Sequence, residues 1–214
     1  EVEELIYDEE NPIIEAREYS AGKGVDVSRV IKELGGQSIA IGFVGGYNGL
    51  QFEGRLLNEG LVCDFLRIGG ETRTNIILLQ QKRKMQTLLA TSGPRLGETE
   101  LAMFFEKLRA IPTGSYVVLN GNLPSTMDDQ FFAQAITVLK QKGVKVALDS
   151  DGEPMRNGVA ASPFLVKPNI HELGRLLGKS IADLGEVVEG GRSLLDSSRY
   201  VVVSLGARGA VGIS

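Results

Sequence analysis

Residues Tyr116 to Asp149 read YVVLNGNLPSTMDDQFFAQAITVLKQKGVKVALD. Tyr116 to Leu119 is an apolar run with the composition of a buried strand. Phe132, Ala135, Ile136 and Leu139 recur at i, i+3, i+4 and i+7, which sets them on one stripe of a helix. Val144 to Leu148 is a second apolar run. A strand of about five residues, an amphipathic helix of about a dozen and another strand make one parallel crossover unit.

The same grammar extends in both directions. Upstream, Val27, Val30, Ile31 and Leu34 predict a buried helical stripe ending at Gly35-Gly36. A strand follows from Ser38 to Val44, and a helix marked by Phe52, Leu56 and Leu57 stops at Gly60. Leu101, Phe104, Phe105 and Leu108 give another helix face. Downstream, the strand Phe164 to Val166 precedes a helix from near Ile170, and a helix around Leu184 to Leu195 precedes the strand Tyr200 to Leu205. The pattern predicts an α/β fold whose mainly parallel sheet is flanked by helices, with ligands at the carboxyl ends of the strands. Residues 1–20 and 73–90 lack a helical stripe and lean towards β; they are expected to form strands of a small β lid, the alternative being an ordinary meander or edge hairpin of the main sheet.

The chain has 214 residues, enough for one globular domain with a real core. Its 23 basic and 27 acidic residues give a net charge of -4 with no block of like charge, which argues against a nucleic-acid or anionic-membrane surface. The apolar runs Ile76 to Leu79 and Tyr200 to Val203 are far too short to span a bilayer, and Glu1-Val2-Glu3-Glu4 has no secretory signal character. A cytoplasmic location is expected. A single cysteine, Cys63, excludes an internal disulfide and reads as a small buried residue, and a single histidine, His171, excludes multi-histidine zinc sites. Glycine is abundant, 27 residues in clusters without a triplet period, so the glycine turns are where a ligand is sought.

Six clusters carry chemistry. Ser20 to Ser28 reads SAGKGVDVS, where Gly22, Lys23 and Gly24 open a helix whose N-terminus favours an anion, although a structural turn fits equally and no Walker A motif is present. Gly42 to Gly49 reads GFVGGYNG, after a strand and before a helix, without the spacing of a dinucleotide fingerprint. In Gly70 to Asn75, GETRTN, Arg73 and Asn75 at i and i+2 of a strand would share a face, with Arg73 able to hold a phosphate bidentately or to lie on a solvated edge. Asn120-Gly121-Asn122-Leu123-Pro124 ends a strand at the ligand edge or forms a plain turn. In Leu165 to Leu173, LVKPNIHEL, a strand delivers Lys167 and Asn169. There Asn169 and Glu172 offer either oxygens for hydrated magnesium or an N-cap with its capping-box glutamate, and His171 reads as a surface residue. Val201 to Ala210, VVVSLGARGA, is a strand and glycine turn that suits a nucleotide or a hairpin.

In this order, AGKGVDVSRV, GFVGGYNG, GETRTNI, GNLP, LDSDGE, VKPN with Glu172 and VSLG resemble the ribokinase-like sugar kinases, most of all the branch of 1-phosphofructokinase and tagatose-6-phosphate kinase. The resemblance implies one ribokinase-like domain over 1–214, incomplete at both ends, and transfer of the ATP γ-phosphoryl to a ketohexose phosphate such as fructose 1-phosphate, with Mg2+. Carried over, it implies Gly22, Lys23, Gly24, Asp26, Arg73, Asn75 and Asn122 at the phosphosugar, with Arg73 on its phosphate. Lys167, Asn169, Ser204, Gly206 and Gly209 fall to the nucleotide, and Asn169 and Glu172 to the metal. It also implies a homodimer paired through the lid strands.

Three departures stand out. One glycine, not two, precedes Lys23. Asp26 replaces the family's asparagine and brings negative charge towards an anionic substrate, and Asn122 stands where serine is usual. The family's Asn-Pro-Ala-x-Asp segment and its G-A-G-D motif, which supplies the catalytic base, do not occur in these residues. The alternative to a kinase is therefore a catalytically dead sugar-phosphate or nucleotide binding module.

Overall fold

The computed structural model describes residues 1–124 and 126–214. They divide into two units, residues 1–21 with 28–95 and residues 22–27 with 96–214. The first helix, α1 (Lys23–Glu33), runs through both ranges. Its expected stripe docks only in part: Val30 is 53% and Leu34 83% exposed, whereas Val25 and Ser28 are buried. Val27 and Ile31 of the expected stripe are half-buried, as is Arg29, while Lys32 is exposed. Arg29 Nε is 2.7 Å from Glu59 Oε2, and Lys32 donates to the Glu59 carbonyl. One ion pair and one charge-assisted hydrogen bond, both to Glu59, hold this side of the helix, and the apolar stripe is only half docked.

In the first unit β1 (Ile39–Ala40) and β2 (Phe43–Gly45) lead into α2 (Gly46–Asn58), followed by β3 (Val62–Cys63) and β4 (Leu66–Ile68). β1 pairs parallel with β3, Ile39 opposite Val62, and β2 with β4, Phe43 opposite Leu66. The offset is unchanged, so the strand expected over Ser38 to Val44 is a single line interrupted at Ile41–Gly42. Leu56, fully buried, faces inward from α2, while Leu57 stays exposed. Cys63 is only half-buried; burial, with Glu53 nearby, pushes its thiol upward, away from the reactive thiolate.

β5 (Ile76–Gln80) and β6 (Met85–Leu89) form an antiparallel hairpin inside the segment expected to be β. The other expected lid segment, residues 1–20, holds no strand: its one β-bridge among the described residues is the parallel Val2–Gln80 contact, beside which the Gln81 and Lys82 amides donate to the Val2 and Glu3 carbonyls. Local polar bonds take the backbone groups a ladder would need. Asn11 receives from the Ile6 amide and donates to the Ile6 and Glu9 carbonyls, and Asp8 lies in the left-handed region.

The second unit contains α3 (Glu98–Ala110), β7 (Tyr116–Asn120), α4 (Phe131–Gln141), β8 (Lys145–Asp149), α5 (Gly152–Ala160), β9 (Leu165–Val166), α6 (Ile170–Leu177), α7 (Leu184–Ser193), β10 (Tyr200–Ser204) and β11 (Ala210–Ile213). β7 to β10 lie side by side in chain order, all parallel, and β11 closes antiparallel on β10. With this order the right-handed rule for parallel crossovers puts the connecting helices on one face, and α4, α5, α6 and α7 pack against one another in succession. Val146, Leu148, Val166, Val201 and Val203 bury completely beneath them, with Ala135, Ile136 and Leu139 of α4 also at zero exposure. Each large side chain so buried contributes roughly 1.5–3 kcal/mol. β7 is less buried than its composition predicts: Tyr116 and Val118 pair with Lys145 and Ala147 on the opposite face and remain exposed.

Asp151 caps α5, accepting from the Gly152 amide, and takes a bidentate contact from Arg175 of α6 at 2.9 and 2.8 Å. Burial pushes its carboxyl up, but the Arg175 hydrogen bonds and the Gly152 amide outweigh it and hold the group below the ordinary range. A lowered folded value means stability present above the unfolded pKa of about 4 and lost as pH falls through the folded value. Asp151→Asn keeps the cap but removes the charge, so it is expected to cost about 1 kcal/mol at pH 7. Urea denaturation should show that difference closing towards pH 3; a gap independent of pH would refute the ionic account.

Candidate active site

Four parallel strands release their last residues along one edge of the second unit. Asn120 ends β7, Asp149 ends β8, Lys167 follows β9 and Ser204 ends β10. Backbone bonds lock these ends together. The Gly121 amide donates to the Asp149 carbonyl (3.1 Å), Lys167 to Leu148 (2.9 Å) and Ser204 to Pro168 (3.0 Å), and Ser150 Oγ donates to the Gly121 carbonyl (3.0 Å).

On this edge stands an alternating row of charges. Lys167 Nζ lies 2.9 Å from Asp149 Oδ2, Lys23 Nζ lies 3.1 Å from Asp149 Oδ1, and Lys23 Nζ is also 3.9 Å from Glu172 Oε1. Lys23 and Lys167 keep part of their surface in solvent, whereas Glu172 is buried. Lys23 opens α1, and the chain there comes close to β7: a Cβ on Gly24 would stand 3.1 Å from Asn120 Oδ1. Gly22 accepts from the Asp26 amide in the same first turn.

Asn169 and Glu172 form the capping box of α6. Asn169 Oδ1 accepts from the amides of His171 and Glu172, and Glu172 Oε2 accepts from the Asn169 amide at 2.7 Å. Asn169's side-chain oxygen is thereby committed to the helix. Glu172 Oε1 is left facing Lys23, and one carboxylate oxygen suits a magnesium ion that keeps most of its water. Among the described residues no three His, Cys, Asp or Glu gather as a metal cluster. His171 is exposed.

Ser204 bridges Asn169, so both lie at one point of the edge. Beyond it Gly206 (φ 62°) and Gly209 (φ 87°) flank a 3₁₀ turn, and β10 and β11 form a hairpin. Asn122 is exposed two residues past β7.

The first unit holds the other predicted residues. Arg73 and Asn75 precede β5 and are not in a strand, so the shared face inferred from i, i+2 spacing does not apply. The backbone there is held by side chains instead: Asn48 Nδ2 donates to the Thr72 carbonyl and Thr74 Oγ1, and Thr72 Oγ1 accepts from the Gly45 amide. Asn75 Oδ1 accepts from the Thr91 amide, pinning the end of the hairpin. Arg73 is exposed and makes no ion pair with a described residue.

The Gly45-Gly46 turn is a packing joint. A Cβ on Gly45 would meet the Gly70 carbonyl at 1.9 Å, and one on Gly46, at φ 63°, would meet the Glu71 carboxylate at 1.7 Å. Glu71 uses the gap to accept from the Asn48 amide at the start of α2. The position a dinucleotide's pyrophosphate would need is filled by that carboxylate.

All 214 residues match the family described as pfkB family carbohydrate kinase. The chain belongs to this family. Among pfkB relatives, it is 34% identical over 194 residues to 1-phosphofructokinase of Bacillus subtilis, covering 90% of this chain and 63% of that protein. It is 30% identical over 213 residues to D-tagatose-1-phosphate kinase of Bacillus licheniformis, covering 99% of this chain and 69% of that protein. Among solved structures, Escherichia coli phosphofructokinase-2 in complex with fructose-6-phosphate superposes over 100% of this chain and 71% of its own, with a TM-score of 0.92 at 26% identity. The chain thus spans somewhat under two thirds of the 1-phosphofructokinase it matches. Membership in the pfkB family agrees with the ribokinase-like α/β fold inferred from the seven ordered segments.

Asp149, which carries both lysines, is absent from the residues that sequence reading assigned to the site. Its signal was available: an acidic residue at the last position of an apolar strand in a parallel sheet.

Proposed function

We propose that the full-length protein is an ATP-dependent phosphosugar kinase that transfers the γ-phosphoryl of ATP to a hydroxyl of a ketohexose phosphate such as fructose 1-phosphate. The observation that carries this is the row Lys167, Asp149, Lys23 and Glu172 at the carboxyl ends of the parallel strands. Family membership and two relatives named for ketohexose 1-phosphates support the choice of acceptor.

In this reading Lys167, Asn169, Ser204, Gly206 and Gly209 form the nucleotide's seat, and Lys23, which the family resemblance places at the phosphosugar, is reassigned to the phosphates of ATP because it shares the Asp149 carboxylate with Lys167. Arg73 is proposed for the phosphate already on the sugar, and Asn75 of the same unit, like Gly22, Gly24, Asp26 and Asn122 of the other, is carried over as a phosphosugar residue. Glu172 would hold a hydrated magnesium ion through Oε1, the oxygen that faces Lys23, and such an ion would supply neutralisation of charge on the transferring phosphoryl. The residues act by positioning and by electrostatic stabilisation of a loose transition state. Self-association through the β5–β6 hairpin belongs to the same reading. Ile76, Ile77, Met85, Leu88 and Leu89 are each more than half exposed, and a lone two-stranded hairpin with such side chains gains from a second copy. Sedimentation equilibrium finding only monomer at micromolar concentration would remove that part.

A coupled ADP-release assay on the full-length protein tests the activity with fructose 1-phosphate, fructose 6-phosphate, tagatose 1-phosphate and tagatose 6-phosphate. Sugar-dependent ADP release with at least one is expected. No turnover with any of the four ends the proposal.

A further inference from the structure

We propose that Asp149 is a positioning residue, which holds Lys23 with one carboxylate oxygen and Lys167 with the other so that the two ammonium groups act as one anion-binding pair. The identity of the anion, the phosphates of ATP, rests on the kinase reading above.

Three residues distant in sequence meet here, at 3.1 and 2.9 Å. The asymmetry of burial matters: the Asp149 side chain is 15% exposed, those of Lys23 and Lys167 44% and 39%. The carboxylate is the fixed member, and each lysine reaches it with its head still open to a ligand. Without that carboxylate two ammonium groups would repel one another across a short gap. Lys23 has a second reason to leave, because it stands in the first turn of α1, where the helix dipole disfavours a cation. Glu172, at 3.9 Å and already bound to the Asn169 amide, is a weaker anchor. The close approach of Gly24 to Asn120 brings the start of α1 to the strand ends, and Asp149 then fixes where the Lys23 head lies.

A positioning role and a purely structural ion pair differ in how the residues couple. Calorimetric titration of the full-length protein with ATP and magnesium is the measurement, on wild type, Asp149→Asn, Lys23→Met and the double variant. Asp149→Asn is expected to weaken ATP binding about tenfold, the scale typical of losing a group that orients a ligand-binding side chain. In the Lys23→Met background the same change should cost about threefold or less, because one of the two side chains that Asp149 holds is gone and only Lys167 is left for it to position. Asp149→Glu, which keeps the charge, should recover part of the loss, and it serves in the cycle if Asp149→Asn does not fold. A tenfold cost that persists in the Lys23→Met background, or wild-type affinity in Asp149→Asn, overturns the proposal. Wild type that binds ATP but phosphorylates no sugar phosphate defeats the kinase reading alone, and the cycle still decides Asp149. Wild type that binds no ATP defeats both.

Discussion

Arg73→Ala is expected to raise the KM for the phosphosugar by about 100- to 1000-fold while moving the KM for ATP by no more than about threefold. The reason lies in what the arginine can offer. It is exposed, pairs with no described acidic residue, and sits on a stretch of backbone held by Asn48, Thr72 and Asn75 side chains. A guanidinium on a fixed backbone can present two parallel donors to a phosphate, and if Arg73 holds the sugar's phosphate as proposed, its loss removes a charge-assisted bidentate contact from that substrate only. Lysine at this position should recover part of the charge but little of the geometry. Steady-state kinetics with each substrate varied in turn makes the comparison, and equal losses for sugar and ATP would show that Arg73 does not belong to the sugar side.

Gly45→Ala is expected to destabilise the first unit by roughly 3 kcal/mol or more, near the upper end for an overpacked site. The added methyl would lie 1.9 Å from the Gly70 carbonyl oxygen and 2.6 Å from that of Ile68, both backbone atoms of the paired strand and the turn beyond it. Neither can rotate aside as a side chain would. Relief requires β2 and β4 to part, which breaks the Gly45–Ile68 pairing and moves Thr72 off the Gly45 amide. Urea denaturation of the full-length protein reads the effect, and a cost below about 1 kcal/mol would mean the turn is looser than the distances say. By contrast, Gly54, whose added Cβ meets nothing within 4 Å, should accept alanine readily.

These two positions show how differently sequence and structure inform. Gly45 was visible as half of a glycine pair, but its neighbour Gly70 lies 25 residues on, and no local pattern shows that two backbones touch there. Arg73 was picked out by its family motif, whereas the strand geometry first invoked for it is absent, because side-chain bonds to the backbone displaced the ladder. Asn169 and Glu172 illustrate the reverse case: the spacing allowed both a cap and a metal pair, and hydrogen bonds commit the asparagine to the cap while leaving one glutamate oxygen open.

What the sequence by itself determined is the alternation of strand and helix in the second unit, the strand ends where ligands are expected and the family's ordered segments. These follow from period and spacing, which are properties of neighbours along the chain. Only the tertiary structure decided how much of α1's apolar stripe is buried, that residues 1–20 form no strand, and that Asp149 joins Lys23 to Lys167. Each of those depends on a charge or a backbone group finding a partner tens of residues away or a competing local bond, and hydrophobic periodicity carries no record of such partners.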